Sequence, residues 1–290
     1  MRALKPFDYF EPVTLKEATK LLSQYGEKAQ ILAGGVDLIP RMRMGKIKTD
    51  FLVNIQKILE LSHLSVGGTK GLKFGAMTSL RTLELSRDIQ KLYPIFYEAI
   101  HQIASVQAKC MGTAVGNLCV ATPASDVATA LMALGAELTI AGPDSTRTEP
   151  IEKFYVDYLK TSLRKGEMVT GVFLPSPTTG SGTGYLNLLR TKGDSAKVSV
   201  AAALILKNGV CQEAKISLGA VAPTIFRAAK AEAVLKGQKL SADIIGKAAD
   251  TAVKETRPIT DVRSTAEYRK VTTGVLVARA LEKAAERAKA

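Results

Sequence analysis

The chain has 290 residues, of which 46% are hydrophobic and 23% charged, and its formal net charge is +13. This composition excludes disorder, collagen-like repeats and coiled coil as descriptions of the whole chain. No apolar run approaches the roughly 18 residues that a membrane span needs. The basic start of the chain lacks the apolar segment of a secretion signal. We therefore expect a cytoplasmic globular protein of two domains.

The predicted elements begin with a helix. Residues 14–17 form a capping box, and apolar residues follow at helical spacing as far as Gly26. Residues 29–33 and 51–55 are short apolar runs typical of buried strands. We expect this opening unit, residues 1–57, to form a small subdomain.

The middle of the chain, residues 58–176, is expected to form a second subdomain. Its predicted elements are a strand at 71–76, helices over 80–87 and 89–103, a loop at 113–117, a helix that begins at Thr122-Pro123, and strands at 137–141 and 167–174. Together the two subdomains make a predicted first domain of residues 1–176.

Residues 175–184 are rich in Pro, Gly, Ser and Thr and are predicted to be a linker. Beyond it, strands are predicted at 185–190, 197–207 and 210–221, with a hairpin turn at Asn208-Gly209. Helices are predicted to start near Phe226, near Ser241 and at Ser264. The second domain, residues 177–290, is therefore a small antiparallel sheet with helices. The whole chain is predicted to be an α+β protein.

The counts of cysteine and histidine limit the chemistry that this chain can perform alone. It has three Cys (Cys110, Cys119 and Cys211) and two His (His63 and His101), with no CxxC or HxxxH spacing. Zinc sites use such spacings, and an iron–sulfur cluster usually needs four thiolates. Redox chemistry would therefore need an organic cofactor or a cluster on another chain. We expect the three thiols to be small buried side chains.

The positive charge is unevenly distributed. Residues 1–176 carry 21 Lys and Arg against 17 Asp and Glu, whereas residues 177–290 carry 19 against 10. Nucleic-acid binding is one interpretation, but the basic residues are dispersed and no aromatic residues are interleaved with them. A solvated basic surface, an acidic partner subunit or an anionic cofactor would explain the charge equally well.

Two glycine-containing turns could contact a ligand. The first glycine turn, residues 32–38, directly follows a predicted strand, and the second glycine turn, residues 112–117, is followed by Ser125-Asp126. Paired glycines let backbone N–H groups approach an anion closely. Each turn taken alone is more typical of a tight structural turn than of a ligand site. No GxGxxG follows a strand, so a Rossmann dinucleotide domain is not expected.

Several ordered motifs resemble those of one family. They are Ala33-Gly34-Gly35-Val36-Asp37-Leu38, Met111-Gly112-Thr113-Ala114-Val115-Gly116-Asn117 and Ala121-Thr122-Pro123-Ala124-Ser125-Asp126, with supporting similarity at residues 7–12, 190–196 and 217–224. In this arrangement the chain resembles the FAD-binding medium subunit of the molybdenum hydroxylases, which include carbon monoxide dehydrogenase and bacterial xanthine dehydrogenase. The resemblance covers nearly the whole chain.

The resemblance implies an oxidoreductase subunit with a PCMH-type FAD-binding domain and a C-terminal α+β domain. The first glycine turn would wrap the diphosphate, the second would hold diphosphate and ribityl groups, and Asp126 would hydrogen-bond the ribityl region beside Ser125. Val169 would lie on a strand that lines the ring pocket. The residues so assigned to non-covalent FAD are Leu32, Ala33, Gly34, Gly35, Val36, Asp37, Leu38, Thr113, Ala114, Val115, Gly116, Asn117, Ser125, Asp126 and Val169. No catalytic or metal-binding residue is assigned to this chain.

Three positions depart from the family pattern. Val115 replaces a glycine of the second glycine turn, and Ser195 stands where relatives often place a large side chain over the flavin ring. A lysine common near the flavin falls at Leu186 or Asn187. These departures affect the expected surroundings of the flavin ring and leave the diphosphate cradle in place.

The resemblance also implies partners. The molybdenum cofactor would lie on a large subunit and 2Fe–2S clusters on a small subunit, in a dimer of heterotrimers without nucleic acid. This chain would pass electrons from those clusters to NAD⁺, a quinone or dioxygen. The alternatives are a stand-alone PCMH-type flavin oxidoreductase and, from a different class, a basic nucleic-acid-binding module.

Overall fold

A computed structural model describes residues 4–67 and 70–289, and three main sheets organise them. The first sheet is parallel, with the strand order β1-β3-β2. Its elements are β1 (Asp8–Phe10), α1 (Leu15–Tyr25), β2 (Ala29–Leu32), α2 (Leu38–Arg43) and β3 (Phe51–Asn54). The predicted capping box is confirmed, because the Thr14 hydroxyl accepts a hydrogen bond from the Glu17 N–H. Strand β1 and helix α2 have no counterpart among the elements predicted from the sequence.

The second sheet is antiparallel, with the order β4-β5-β10-β6-β7. Its strands are β4 (Leu64–Val66), β5 (Leu72–Gly75), β6 (Glu137–Ala141), β7 (Thr146–Pro150) and β10 (Met168–Leu174). The helices between β5 and β6 are α3 (Leu80–Leu85), α4 (Arg87–Leu92), α5 (Pro94–Gln102), α6 (Val106–Met111), α7 (Ala114–Cys119) and α8 (Asp126–Ala133). Between β7 and β10 lie α9 (Ile151–Phe154) and the small pair β8 (Tyr155–Asp157) and β9 (Lys160–Thr161).

The third sheet is antiparallel and is backed by the last three helices. Its elements are β11 (Ser181–Leu188), β12 (Val198–Lys207), β13 (Val210–Gly219), β14 (Phe226–Arg227), α10 (Ala229–Leu235), α11 (Ala242–Glu255) and α12 (Ala266–Lys289). The predicted turn at Asn208-Gly209 is confirmed, since φ is +53° and +76° at these residues and Lys207 pairs with Val210. Positive φ at both central residues is the geometry of a type I′ hairpin.

The predicted linker at 175–184 is wrong in its second half, because β11 already begins at Ser181. A Cβ atom added to Gly182 would lie 2.0 Å from the Ala284 carbonyl oxygen, and one added to Gly184 would lie 2.4 Å from the Ala280 carbonyl oxygen. These glycines therefore allow β11 to approach the backbone of α12. Their role is close packing, which a composition-based linker prediction does not distinguish from flexibility.

Two hydrophobic cores hold these elements together. One lies within the first two sheets and their helices and extends to Tyr185 and Ala201 of the third sheet. The other lies between the third sheet and helices α10–α12. The expected α+β class is confirmed, and the exact domain limits at 57 and 176 stay predictions. None of the described helices is long and apolar enough to cross a membrane.

Candidate functional site

The two glycine turns are in direct backbone contact. Gly34 of the first turn faces the end of α6: a Cβ atom on Gly34 would lie 1.8 Å from the Met111 carbonyl oxygen and 3.0 Å from Gly112 Cα. No side chain can occupy such a gap, so this approach requires glycine. The contact joins two motifs that are far apart in the sequence, as the predicted shared site requires.

The first glycine turn presents a run of unpartnered backbone donors. No residue of the described parts of the chain accepts a hydrogen bond from the N–H groups of residues 34–37. Gly35 adopts φ +70°, a conformation that favours glycine. Gln56 supports the first glycine turn from the turn that follows β3, because its side-chain N–H donates to the Ala33 carbonyl at 2.7 Å. Successive free N–H groups in such a turn suit a phosphate or another anion.

The second glycine turn differs from the predicted loop, because its residues 114–117 belong to α7. Thr113 caps this helix: its hydroxyl accepts a hydrogen bond from the Gly116 N–H at 2.9 Å. A threonine followed by small residues can cap a short helix, and the presence of glycine concealed this signal. Val115 has helical geometry here, so its replacement of a glycine does not strain the backbone.

The side chains of the second turn leave little surface for a ligand. Ala114 is fully buried and Val115 is 4% exposed, so both belong to the core. The N–H of Leu80 donates to the Gly112 carbonyl at 2.8 Å, and Ser79 forms an isolated bridge with Thr113. The start of helix α3 thus supports this turn.

Ser125 and Asp126 lie at the start of α8, which begins three residues later than Pro123, the predicted first helical residue. Ser125 is the true cap, since its hydroxyl accepts from the Ala128 N–H at 3.0 Å. The same hydroxyl donates to the Asn117 side-chain oxygen at 2.5 Å. This bond connects the predicted Ser125 to the second glycine turn.

The Asp126 carboxylate is already partnered within the chain. It accepts hydrogen bonds from the Tyr185 hydroxyl and from the Asn187 amide at 3.1 Å, both on β11. Asp126 is 8% exposed. The sequence analysis missed Tyr185 as a partner, because no local pattern relates β11 to the start of α8. Asn187, one of the two positions matched to the family's lysine, contacts Asp126.

The pKa of Asp126 predicts how stability depends on pH. Burial raises the pKa of this carboxyl group, and the hydrogen bonds from Tyr185 and Asn187 only partly oppose the effect. As pH rises above about 4, an unfolded Asp loses its proton first, so the free energy of unfolding falls until the folded group ionises too. We expect urea unfolding of the wild type, relative to Asp126→Asn, to show this loss as pH rises above about 4. If the free energy of unfolding of the wild type instead rose with pH relative to that of Asp126→Asn, the raised pKa of Asp126 would be contradicted.

Val169 and Ser195 lie in different surroundings from each other. Val169 is on β10 and is 3% exposed, the same as Ser125, so it offers a ligand little surface. Ser195 is exposed, on a loop whose Gly193 approaches Ala104.

Of the three thiols, Cys211 is buried as expected, whereas Cys110 is exposed, so the expectation for Cys110 is wrong.

These observations fit an FAD diphosphate at the first glycine turn better than a metal site. Four consecutive free N–H donors lie beside a glycine contact that any side chain would close. In the described ranges, 4–67 and 70–289, no three His, Cys, Asp or Glu side chains group as metal ligands. The residues that would hold the diphosphate are therefore Gly34, Gly35, Val36 and Asp37, through their backbones.

Comparison with known proteins identifies the family. A profile described as the FAD binding domain in molybdopterin dehydrogenase matches residues 5–177, and one described as the CO dehydrogenase flavoprotein C-terminal domain matches residues 184–284. The chain is 36% identical over 98% of its length to the carbon monoxide dehydrogenase medium chain of Afipia carboxidovorans, covering 98% of that protein. It is 31% identical to the glyceraldehyde dehydrogenase medium chain of Sulfolobus acidocaldarius, over 96% of this chain and 98% of that one.

Solved structures agree with the sequence comparisons. A chain of carbon monoxide dehydrogenase from Hydrogenophaga pseudoflava superposes with a TM-score of 0.95 at 32% identity and covers 99% of both chains. The resemblance recognised from the glycine turns is thereby confirmed. The chain carries an FAD-binding domain and belongs to the family of FAD-binding medium subunits of the molybdenum hydroxylases, which are oxidoreductases.

Proposed function

We propose that this chain holds FAD non-covalently at its two touching glycine turns and passes electrons from iron–sulfur clusters of a partner subunit to an external acceptor. FAD supplies the redox chemistry when bound, and it suits the junction between one-electron and two-electron carriers. The observation that carries the proposal is the backbone contact between Gly34 and Met111 beside the free N–H groups of residues 34–37.

The chain's own residues would bind and orient the cofactor. The backbone of residues 34–37 would hold the diphosphate, and the second glycine turn with Asn117 and Ser125 would support the ribityl region. Asp126 would act indirectly, by fixing β11 against α8 through Tyr185 and Asn187. We place Val169 of β10 at the pocket for the flavin ring, Leu38 in the first glycine turn, and the FAD-binding domain within residues 1–176.

The proposal requires partner subunits in a cytoplasmic complex. The whole chain has only three cysteines, fewer than the four thiolates that a 2Fe–2S cluster usually needs. We propose a small 2Fe–2S subunit and a large molybdopterin-binding subunit, assembled as a dimer of heterotrimers. Residues 177–290 have 19 basic against 10 acidic residues, which suits an acidic partner surface.

The purified chain is expected to show the visible absorption of an oxidised flavin. Because the proposed site holds FAD through backbone contacts, heat denaturation should release FAD into the supernatant, where chromatography identifies it. The control is the same measurement after the protein is stripped of flavin and incubated with excess FAD. Absence of flavin in both preparations, together with salt-sensitive DNA binding, would overturn the proposal in favour of a basic nucleic-acid-binding module.

A further inference from the structure

A buried ion pair lies beside the second glycine turn. Lys109 on α6 and Glu84 on α3 are 4% and 3% exposed, and the Lys109 ammonium lies 2.5 Å from a Glu84 carboxylate oxygen. Lys109 also donates to the carbonyl of His101 at 3.4 Å. Neither residue belongs to the FAD-binding residues recognised from the sequence.

Glu84 is the centre of a larger cluster of charged side chains. Arg81 donates to one of its carboxylate oxygens at 2.7 Å, and the His101 ring lies 3.0 Å from the other. Burial acts to raise the pKa of Glu84, but the hydrogen bonds from Lys109, Arg81 and His101 outweigh it and hold the pKa below its ordinary value. The carboxylate therefore stays ionised and ties α3, α5 and α6 together.

The ion pair lies directly behind the contact between the glycine turns. Lys109 is in the last turn of α6, which ends at Met111, whose carbonyl oxygen fills the space beside Gly34. Glu84 is on α3, whose first residue Leu80 donates to the Gly112 carbonyl at 2.8 Å. Helices α3 and α6 are thus joined at two places. One is the hydrogen bond between Leu80 and Gly112 at the second glycine turn, and the other is the Glu84–Lys109 ion pair.

Stability alone does not explain a buried pair of this kind. Removing two charges from water costs free energy that their attraction often fails to recover, and apolar replacements are frequently as stable. Helix α6 has six residues, too few to hold its position without tertiary contacts. A hydrogen-bonded ion pair fixes position more narrowly than an apolar contact, which tolerates sliding.

We propose that the Glu84–Lys109 ion pair fixes the position of α6, so that the Met111 carbonyl stays in contact with Gly34. The pair thereby sets the affinity with which the two glycine turns bind the diphosphate of FAD. The proposal rests on the function proposed above. It assigns Glu84 and Lys109 no contact with the cofactor. They act through the backbone of residues 111–112.

The test separates positioning from stability with a neutral double variant. Glu84→Gln with Lys109→Met removes both charges together, so no unpaired charge remains buried and the melting temperature should stay close to that of the wild type. The Kd of FAD for the flavin-stripped full chain should rise about tenfold. ADP, which carries the diphosphate without the flavin ring, should lose affinity by the same factor. Fluorescence titration measures the first and competition against FAD the second.

The control is Glu167→Gln, which breaks a half-buried pair with Arg147 (2.9 Å) of the second sheet, remote from the glycine turns in the sequence. It should lower the melting temperature without changing the Kd of FAD. A double variant with the wild-type Kd, or one that loses FAD but not ADP affinity, would overturn the positioning role.

A second variant covers the case in which the double variant does not fold. Glu84→Asp keeps the charge but shortens the side chain by one methylene, so it cannot reach Lys109 and Arg81 together, and it should raise the Kd of FAD about threefold. An unchanged Kd would again overturn the proposal. Failure of the wild type itself to bind FAD would refute the proposed function, which distinguishes that result from a failure of positioning alone.

Discussion

Gly34→Ala should abolish the retention of FAD. The added methyl group would lie 1.8 Å from the Met111 carbonyl oxygen, so the two glycine turns must move apart. The free N–H groups of residues 34–37 then lose their common direction. Each hydrogen bond to a charged group contributes about 1.5–3 kcal/mol, so the loss of two raises the Kd by at least about a hundredfold. Absorbance of the purified variant and titration with FAD measure the loss.

The matched control is Gly246→Ala, on α11. No atom lies within 4 Å of a Cβ atom at this position, so the same substitution meets open space. Because alanine favours the helical backbone over glycine by about 1 kcal/mol, this variant should be as stable as the wild type or more stable. It should retain the full complement of FAD.

Thermal unfolding separates loss of the site from loss of the fold. Overpacking at one position typically costs about 1–3 kcal/mol, which leaves most of a protein of this size folded. A folded Gly34→Ala variant that binds FAD with wild-type affinity would remove the first glycine turn from the diphosphate site. The position of FAD would then have to be sought elsewhere in the domain.

The glycine turns illustrate what a sequence can and cannot predict about this site. The paired glycines after β2 indicate a place where backbone approaches something closely. They do not indicate that Gly34 contacts the backbone of Met111, because a contact between residues far apart in the sequence depends on how α6 packs. The support from Gln56, Leu80 and the Glu84–Lys109 pair has no local signature for the same reason.

At the second glycine turn the local structure itself was predicted wrongly. Glycine and small residues at 113–117 suggested a loop, yet Thr113 caps α7 and its neighbours are helical. Tertiary burial of Ala114 and Leu118 stabilises this short helix despite its low intrinsic propensity. The start of α8 was misplaced because Thr122-Pro123 is a common helix start, whereas Ser125 provides the cap here.

Asp126 is predicted from the resemblance to hydrogen-bond the ribityl region of FAD, and its partners within the chain are Tyr185 and Asn187. A carboxylate at a helix start is favoured by the helix dipole whether or not a ligand is present. The sequence motif therefore identifies a buried acid without showing which group it faces. Its bonds to β11 suggest that it links the flavin-binding region to the third sheet.

Gly182→Ala should destabilise the chain at least as much as any other substitution discussed. The new methyl group would lie 2.0 Å from the Ala284 carbonyl oxygen and 2.3 Å from the Ala288 backbone nitrogen, so β11 and α12 must separate. Both neighbouring atoms are backbone atoms, and rotation of a side chain cannot relieve the contact. We expect a loss of about 3 kcal/mol and a melting temperature lower by roughly 5–10 °C.

A second substitution tests whether the backbone contact is the cause. Ala288→Gly removes the side-chain atom nearest to the new methyl group, 2.8 Å away, but leaves both closer backbone atoms in place. The Gly182→Ala/Ala288→Gly double variant should therefore stay as unstable as Gly182→Ala, or become less stable. Recovery of the wild-type melting temperature would show that a side-chain clash dominates. Little effect of Gly182→Ala itself would instead restore the flexible-linker interpretation of residues 175–184, because a linker accommodates an added methyl group without cost.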